Sequence, residues 1–370
     1  MTREDEQLKY RIALTLVPGI GSVVAKNLVS YCGSIENIFR KKKYQLEKIP
    51  GIGAERADAI LNQKVFDRAE EEVLFVRKHK IKTYFYLDND YPARLKNCDD
   101  APVLLFLKGD TDLNASRIVA IVGTRNATSY GKQVTEILIE EFSKYQATIV
   151  SGLAYGIDII AHKESLKNKL PTIGVLAHGL DRIYPSAHKP VAEKMIRNGG
   201  VLTEFISKTN PDRENFPSRN RIVAGMTDAT IVIESATKGG ALITADIANS
   251  YNRDVFAVPG KIGEKFSEGC HELIRLNKAM LIESAHQVAE LLNWCDDVQD
   301  KLGNRQLKFF HELKEDEKVL VNILQQNGKL DIDTITFQSG MPMSKVSFTL
   351  LNLEFAGVLR SLPGKVYELT

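Results

Sequence analysis

The sequence predicts an α/β protein: a mostly parallel sheet covered by helices on both faces, preceded by a small helical domain and followed by three helices and a β-hairpin. Three observations predict it. Short, unbroken apolar runs alternate with helical stretches from Arg117 to Gly260. An apolar-Pro-Gly-apolar-Gly segment occurs twice before Ala54. After Asp316, three helical patterns lead into two short strands around Pro363-Gly364. Continuous rather than alternating hydrophobicity belongs to strands buried on both faces, and the interleaved helices are what bury them.

Composition narrows the class further. With 370 residues, 44% hydrophobic and 26% charged, the chain has material for two or three domains with cores of their own. A formal net charge of +2 gives no bulk attraction for polyanions, so any basic surface has to be local. Cys32, Cys98, Cys270 and Cys295 lie far apart with no C-x-x-C pair. That spacing argues against a disulfide framework and a zinc site, and suits a reducing compartment. The first ten residues are polar and no apolar run reaches membrane-spanning length. A cytoplasmic location without membrane contact is expected.

Taken in order, residues 1–80 are the helical domain. Val17-Pro18-Gly19-Ile20-Gly21 recurs as Ile49-Pro50-Gly51-Ile52-Gly53, each ahead of a helical pattern. Such a turn resembles a helix-hairpin-helix of the SAM-like kind, in which backbone N–H groups face a phosphate; it serves equally well simply to pack two helices. The basic run Arg40-Lys41-Lys42-Lys43 lies between the copies.

Residues 81–295 are the sheet domain. Lys82 to Asp112 reads as a connector with one strand-like stretch. Strands are expected at Ile118–Val122, Thr148–Val150, Thr172–Leu176, Gly200–Thr203, Thr230–Glu234 and Val255–Val258. A polar linker, 296–315, leads to a final domain over 316–370. There, helices at Val319–Gln326, Thr334–Gln338 and Ser344–Phe355 precede strands at Val358–Ser361 and Lys365–Leu369, the order of a winged helix.

In such a sheet, ligands sit beyond the carboxyl ends of the strands, so the residues following each strand are the candidates. The first strand ends in Gly123-Thr124-Arg125. The glycine admits an oxyanion to the backbone, Thr124 offers a hydroxyl and a free N–H, and Arg125 offers a two-pronged donor. Arg125 occupies the second glycine position of a G-x-G-x-x-G dinucleotide signature and no acidic ribose anchor follows, so no cofactor is expected. The second strand runs into Ser151-Gly152-Leu153-Ala154-Tyr155-Gly156-Ile157-Asp158, where Asp158 either caps the next helix or orients an arginine. After the third strand, Tyr184 either stacks on a base or packs its own loop, and Lys189 follows.

The most distinctive stretch is Arg213-Glu214-Asn215-Phe216-Pro217-Ser218-Arg219-Asn220-Arg221. An aromatic ring among guanidinium groups is what an unpaired polynucleotide needs, though arginines also form structural ion pairs. Finally, Gly239-Gly240 opens a helix that includes Thr244, a second N-terminus able to receive an anion.

In this order and spacing, these segments resemble the DNA-processing protein A (DprA/Smf) family. The resemblance runs from Gly123-Thr124-Arg125 through Ser151–Asp158 with His162, Gly179-Leu180-Asp181, Tyr184-Pro185, Phe216–Arg221 and Gly239-Gly240 to Val258-Pro259-Gly260. It implies an extended Rossmann-like fold that binds single-stranded DNA, dimerises through that domain and loads a RecA-type recombinase during natural transformation. It also implies that Arg125 is a principal DNA contact, and that Arg213-x-x-Phe216 stands for the family's Lys-x-x-Phe element. Ala177-His178 departs from the glycine and small residue usual there. Cys270-His271 and Asn277-Lys278 depart where the family's dimer contacts fall.

The rival expectation is a nucleotide N-glycosidase-like hydrolase with a Pro-Gly-Gly-x-Gly-Thr-x-x-Glu motif. Over that pattern the chain reads Lys238-Gly239-Gly240-Ala241-Leu242-Ile243-Thr244-Ala245-Asp246, without the proline or the glutamate. A binding protein rather than an enzyme is the expectation. A transcription factor is disfavoured because the third winged-helix helix offers only Lys345 against Glu354, a poor duplex reader and a better protein contact.

Overall fold

The computed structural model describes residues 2–294, 314–356, 358–362 and 366–369. Two compact units divide the chain, residues 1–301 and 302–370. Cys295, most of the expected linker and the Pro363-Gly364 turn lie outside the described residues.

In the first unit, the repeated segment is a repeated conformation. Gly19 and Gly51 have φ of +74° and +82°. The N–H of Ile20 donates to Val17 O at 3.2 Å, and that of Ile52 to Ile49 O at 3.0 Å. Proline second and a left-handed glycine third make a type II turn, which only glycine fills without strain. Each turn delivers the chain into a helix, Ser22–Cys32 and Ala54–Leu61, through an extended Gly21 or Gly53. These helices do not stand apart from the sheet. Ile12, Leu28, Ile38 and Ile60 share one core with Phe85, Phe106, Leu153 and Met195. The junction is also tied by Arg11, which holds Asp88 through two hydrogen bonds of 2.8 and 2.9 Å.

Nine strands form the sheet. In chain order they are β1 (Lys82–Phe85), β2 (Leu104–Asp110), β3 (Ile118–Val122), β4 (Thr148–Ser151), β5 (Thr172–Val175), β6 (Gly199–Thr203), β7 (Ala229–Val232), β8 (Asp254–Ala257) and β9 (Met280–Leu281). Their spatial order is β1-β2-β6-β5-β4-β3-β7-β8-β9. From β6 to β9 all neighbours are parallel, whereas β2 pairs antiparallel with both β1 and β6. The expected connector therefore contains two strands. The run Leu104-Leu105-Phe106-Leu107 is buried in the sheet rather than crossing its surface. The six expected strands are all present, within a residue or two at their ends.

The chain leaves β3 towards β4 on one side and returns from β6 to β7 on the other, so the strand order reverses between β3 and β7. A crevice opens beyond the carboxyl ends of such a pair because the two following connections diverge to opposite faces.

The second unit has helices Glu315–Asn327, Ile332–Ser339 and Met343–Phe355. They pack around Leu320, Leu324, Ile335, Val346 and Leu350. Strands β11 (Leu359–Leu362) and β12 (Val366–Leu369) pair antiparallel as expected. An additional strand, β10 (Leu330–Asp331), joins the other side of β12 to complete the three-stranded sheet of a winged helix.

Candidate nucleic-acid interface

An open trough of 780 Å³ occupies the crevice at the β3–β7 switch point. It is built by the turn after β3, the glycine loop after β4 with Asp158 of the helix that follows, the loop after β7 with the start of helix Gly240–Ser250, and helix Asn215–Gly225 with Arg213 just before it. Of the expected residues, Gly123, Thr124, Arg125, Gly152, Asp158 and Arg213 line it, as do Phe216, Arg219, Asn220, Gly239, Gly240 and Thr244. Four cations face it, Arg125, Arg213, Arg219 and Lys238, against the single carboxylate of Asp158.

Arg125, Arg213 and Lys238 are exposed. Among the described residues no carboxylate pairs with any of them. The Arg125 guanidinium lies 5.4 Å from the centroid of the Phe216 ring, a cation–π contact that leaves its N–H donors free. Asn220 projects from the same helix face as Phe216, one turn on. Three unpaired cations beside a half-buried ring suit a ligand with repeated negative charge and flat apolar faces.

Behind this surface lies a scaffold of buried polar groups. The Asp158 carboxylate accepts the backbone N–H groups of Gly152 and Ala154 at 3.2 and 3.3 Å. Burial pushes its pKa up, and the opposing Arg219 charge and these N–H donors pull it back. The helix cap beside it is Gly156, so Asp158 is not the cap; it braces the glycine loop and faces Arg219. A Cβ on Gly152 would stand 2.0 Å from Arg219 Nη1, so the glycine leaves room for that buried guanidinium. Gly156 has φ of +77°, and a Cβ on it would meet Thr124 O at 2.1 Å, so this residue lets the β4 loop close against the β3 turn.

Several sequence expectations need correction on this geometry. The Thr124 N–H is not free but donates to Glu234 O at 2.8 Å, while its hydroxyl accepts from Asn126 N–H. Ser151 is fully buried and its hydroxyl donates to Ile121 O at 2.6 Å, which removes it from any ligand. The helix after β3, Ser129–Phe142, already holds an anion at its N-terminus. The buried Glu234 carboxylate accepts the Thr128 N–H at 3.0 Å and the Thr128 hydroxyl at 2.5 Å.

Arg219 is only 5% exposed and donates from Nη1 to Val175 O at 2.6 Å, so it charges the floor of the trough instead of reaching out. Arg221 points the other way, pairs with Glu204 and hydrogen-bonds Asp100 O, outside the trough altogether. Thr244 is buried with its hydroxyl 3.4 Å from Gly240 O. Lys189 is exposed at the start of helix Lys189–Met195 and does not line the trough. Tyr184, half exposed, lines a smaller adjoining cavity with Tyr155, Arg125 and Phe216.

Two residues were missed in the sequence reading, Lys238 and Tyr155. Lys238 immediately precedes the quoted Gly239-Gly240, and Tyr155 sits inside the quoted glycine loop; their position after strands β7 and β4 was the available signal. Cys270, a departure from the family pattern, is fully buried and so makes no surface contact. Asp246, the acid left over from the hydrolase pattern, lies outside the trough and pairs with Lys278 at 2.8 Å. Among the described residues there is no cluster of three metal-ligating side chains, and no helix is long and apolar enough to cross a membrane. Cys32, Cys98 and Cys270 are free and buried.

Comparison with known proteins identifies the family and the fold. Residues 82–293 match the family described as DNA recombination-mediator protein A. Residues 12–63 match a SAM-like helix-hairpin-helix tandem, and 311–365 match the DprA winged helix domain. Protein Smf of Synechocystis sp. is 33% identical, with 98% of this chain and 99% of that protein covered. The X-ray structure of DNA processing protein A from Streptococcus pneumoniae superposes with a TM-score of 0.66 at 32% identity, covering 78% of this chain and 98% of that one. A structure of DNA processing protein A from Helicobacter pylori, described for its single-stranded DNA binding mode, superposes at 0.53 with 33% identity, covering 58% and 96%.

Proposed function

Because this chain belongs to the DNA recombination-mediator protein A family, we propose that it binds single-stranded DNA along the β3–β7 trough and hands the strand to a RecA-type recombinase during natural transformation. The observation that carries the DNA reading is the set of unpaired cations Arg125, Arg213 and Lys238 grouped around Phe216 at the strand switch point. Phosphates contact these cations and the exposed Gly240 end of helix Gly240–Ser250, while bases stack on the aromatic rings. A duplex keeps its base faces inside the stack, so it forgoes the aromatic contribution of roughly 1–3 kcal/mol per base. Preference for single strands follows.

Protection of incoming strands and transfer to a recombinase rest on the family, whose description names recombination mediation. Self-association as a homodimer draws support from an exposed apolar surface at the β8–β9 end of the sheet, where Ile243, Leu276, Met280 and Leu281 are all more than 40% exposed. A cytoplasmic site of action goes with DNA as ligand and with three buried free thiols. The binding reading, rather than hydrolysis, is supported by Asp246 being paired away from the trough and by Glu234 occupying the helix end where a nucleotide phosphate would sit.

Fluorescence anisotropy with labelled oligo-dT and a duplex of equal length tests the proposal. Binding of oligo-dT at least tenfold tighter than of duplex is expected. Equal affinities would remove the single-strand reading, and release of free base from nucleoside monophosphates would restore the hydrolase.

A further inference from the structure

Two half-exposed tyrosines stand beside one end of the trough, and each is held by a buried histidine. Tyr155 and Tyr184 are both 51% exposed, and they line one cavity together with Arg125 and Phe216. Neither phenolic oxygen has a hydrogen-bond partner among the described residues.

His178, 2% exposed, fixes the turn that carries Tyr184. Its Nδ1 lies 2.9 Å from Gly179 O, and its Nε2 accepts the Tyr184 N–H at 3.2 Å. A carbonyl only accepts and an amide only donates, so the ring is neutral with its proton on Nδ1. Burial lowers the His178 pKa, which keeps that neutral form in place. His188 is buried as well, with Nδ1 2.8 Å from Leu153 O. Tyr155 packs edge-on against it, ring centroids 4.8 Å apart at 70°. Neither histidine lines the trough, although His178 lines the smaller cavity beside the two tyrosines.

We propose that Tyr155 and Tyr184 form an aromatic clamp that stacks a nucleobase at the end of the trough, with His178 holding the backbone that carries one ring and His188 packing against the other. The inference rests on the single-strand reading of the trough and adds the base contact to it. An exposed tyrosine free to rotate loses side-chain entropy when a base settles on it, and a ring fixed beforehand loses less. His178 fixes the backbone of one clamp residue and His188 the ring of the other. A side chain without an acceptor at position 178 would leave the Tyr184 N–H without this partner.

The test compares oligo-dT with an abasic oligonucleotide of the same length, which keeps the phosphates and lacks the bases. His178→Ala is expected to weaken oligo-dT binding several-fold and leave abasic binding and the salt slope unchanged. His178→Gln, whose amide oxygen reaches towards the Nε2 position, is expected to restore the loss. Tyr184→Ala is expected to cost at least as much as His178→Ala, and the two together no more than Tyr184→Ala alone. Equal losses on both ligands, an unaffected oligo-dT affinity, or failure of the glutamine to rescue would overturn the clamp. If the unaltered protein binds neither oligonucleotide, the single-strand reading fails with it; if it binds both equally, the clamp fails together with base stacking on Phe216, and the phosphate contacts stand.

Discussion

Arg125 and Arg221 have the same side chain, yet their neighbours assign them different tasks. Arg125 has no acidic partner among the described residues and rests on Phe216, whereas Arg221 is held by Glu204 and Asp100 with only 14% of its side chain exposed. Arg125→Ala is therefore expected to weaken oligo-dT binding and lower the slope of log affinity against log salt by about 0.7, the share of one phosphate on a single strand. Arg221→Ala is expected to leave that slope alone and to destabilise the fold by on the order of 3 kcal/mol, since the Glu204 charge loses its partner; urea denaturation measures it.

The arginine cluster was legible in the sequence, and its division was not, because the division depends on where the helix begins. Phe216, Arg219, Asn220 and Val223 follow i, i+3, i+4, i+7 and line the trough, while Ser218 and Arg221 share another face and line a different cleft. With the helix placed at Asn215–Gly225, three-and-four spacing separates the two groups.

Elements explain what single residues do not. The helix after β3 was expected to receive a phosphate, and its own chain supplies the anion from the end of β7. Sequence spacing cannot reveal that exchange, since Thr128 and Glu234 meet only because β3 and β7 are neighbours. Glu234→Ala is expected to cost about 1 kcal/mol of stability, as the loss of a helix cap does, with oligo-dT affinity per folded molecule retained.

Helix Ile157–Lys167 carries a second buried group, His162, whose Nδ1 lies 2.7 Å from the Thr172 hydroxyl. Burial first, then the nearby Arg219 charge, lowers its pKa from 6.5 to about 3. The unfolded chain protonates this ring from pH 6.5 downward and the folded chain does not. Its stabilising effect is thus complete above pH 6.5 and is lost progressively as pH falls towards 3, at up to about 1.4 kcal/mol per pH unit. Denaturation midpoints between pH 7 and 4 should fall less steeply in His162→Gln than in the unaltered protein. The missed β2 belongs at this scale too. Its apolar run was visible, but antiparallel pairing beyond the β6 edge depends on long-range contacts that no local pattern records.

At the scale of the whole molecule, the sheet unit holds the trough and the winged-helix unit displays something else. On helix Met343–Phe355 the outward residues include Phe348, Leu351 and Phe355, and Lys345 is paired with Asp316. That face suits a protein better than a phosphate backbone. Removal of residues 295–370 is expected to leave oligo-dT affinity unchanged, and abolished binding would show that the second unit contributes.

The proposed function depends on the trough holding an unpaired strand by its charge. Its most direct test is the salt dependence of oligo-dT affinity in a variant carrying Arg125→Ala, Arg213→Ala and Lys238→Ala together, beside the unaltered protein. Three lost phosphate contacts on a single strand predict a slope smaller by about 2, with the fold intact by circular dichroism. An unchanged slope in that folded variant would contradict the account.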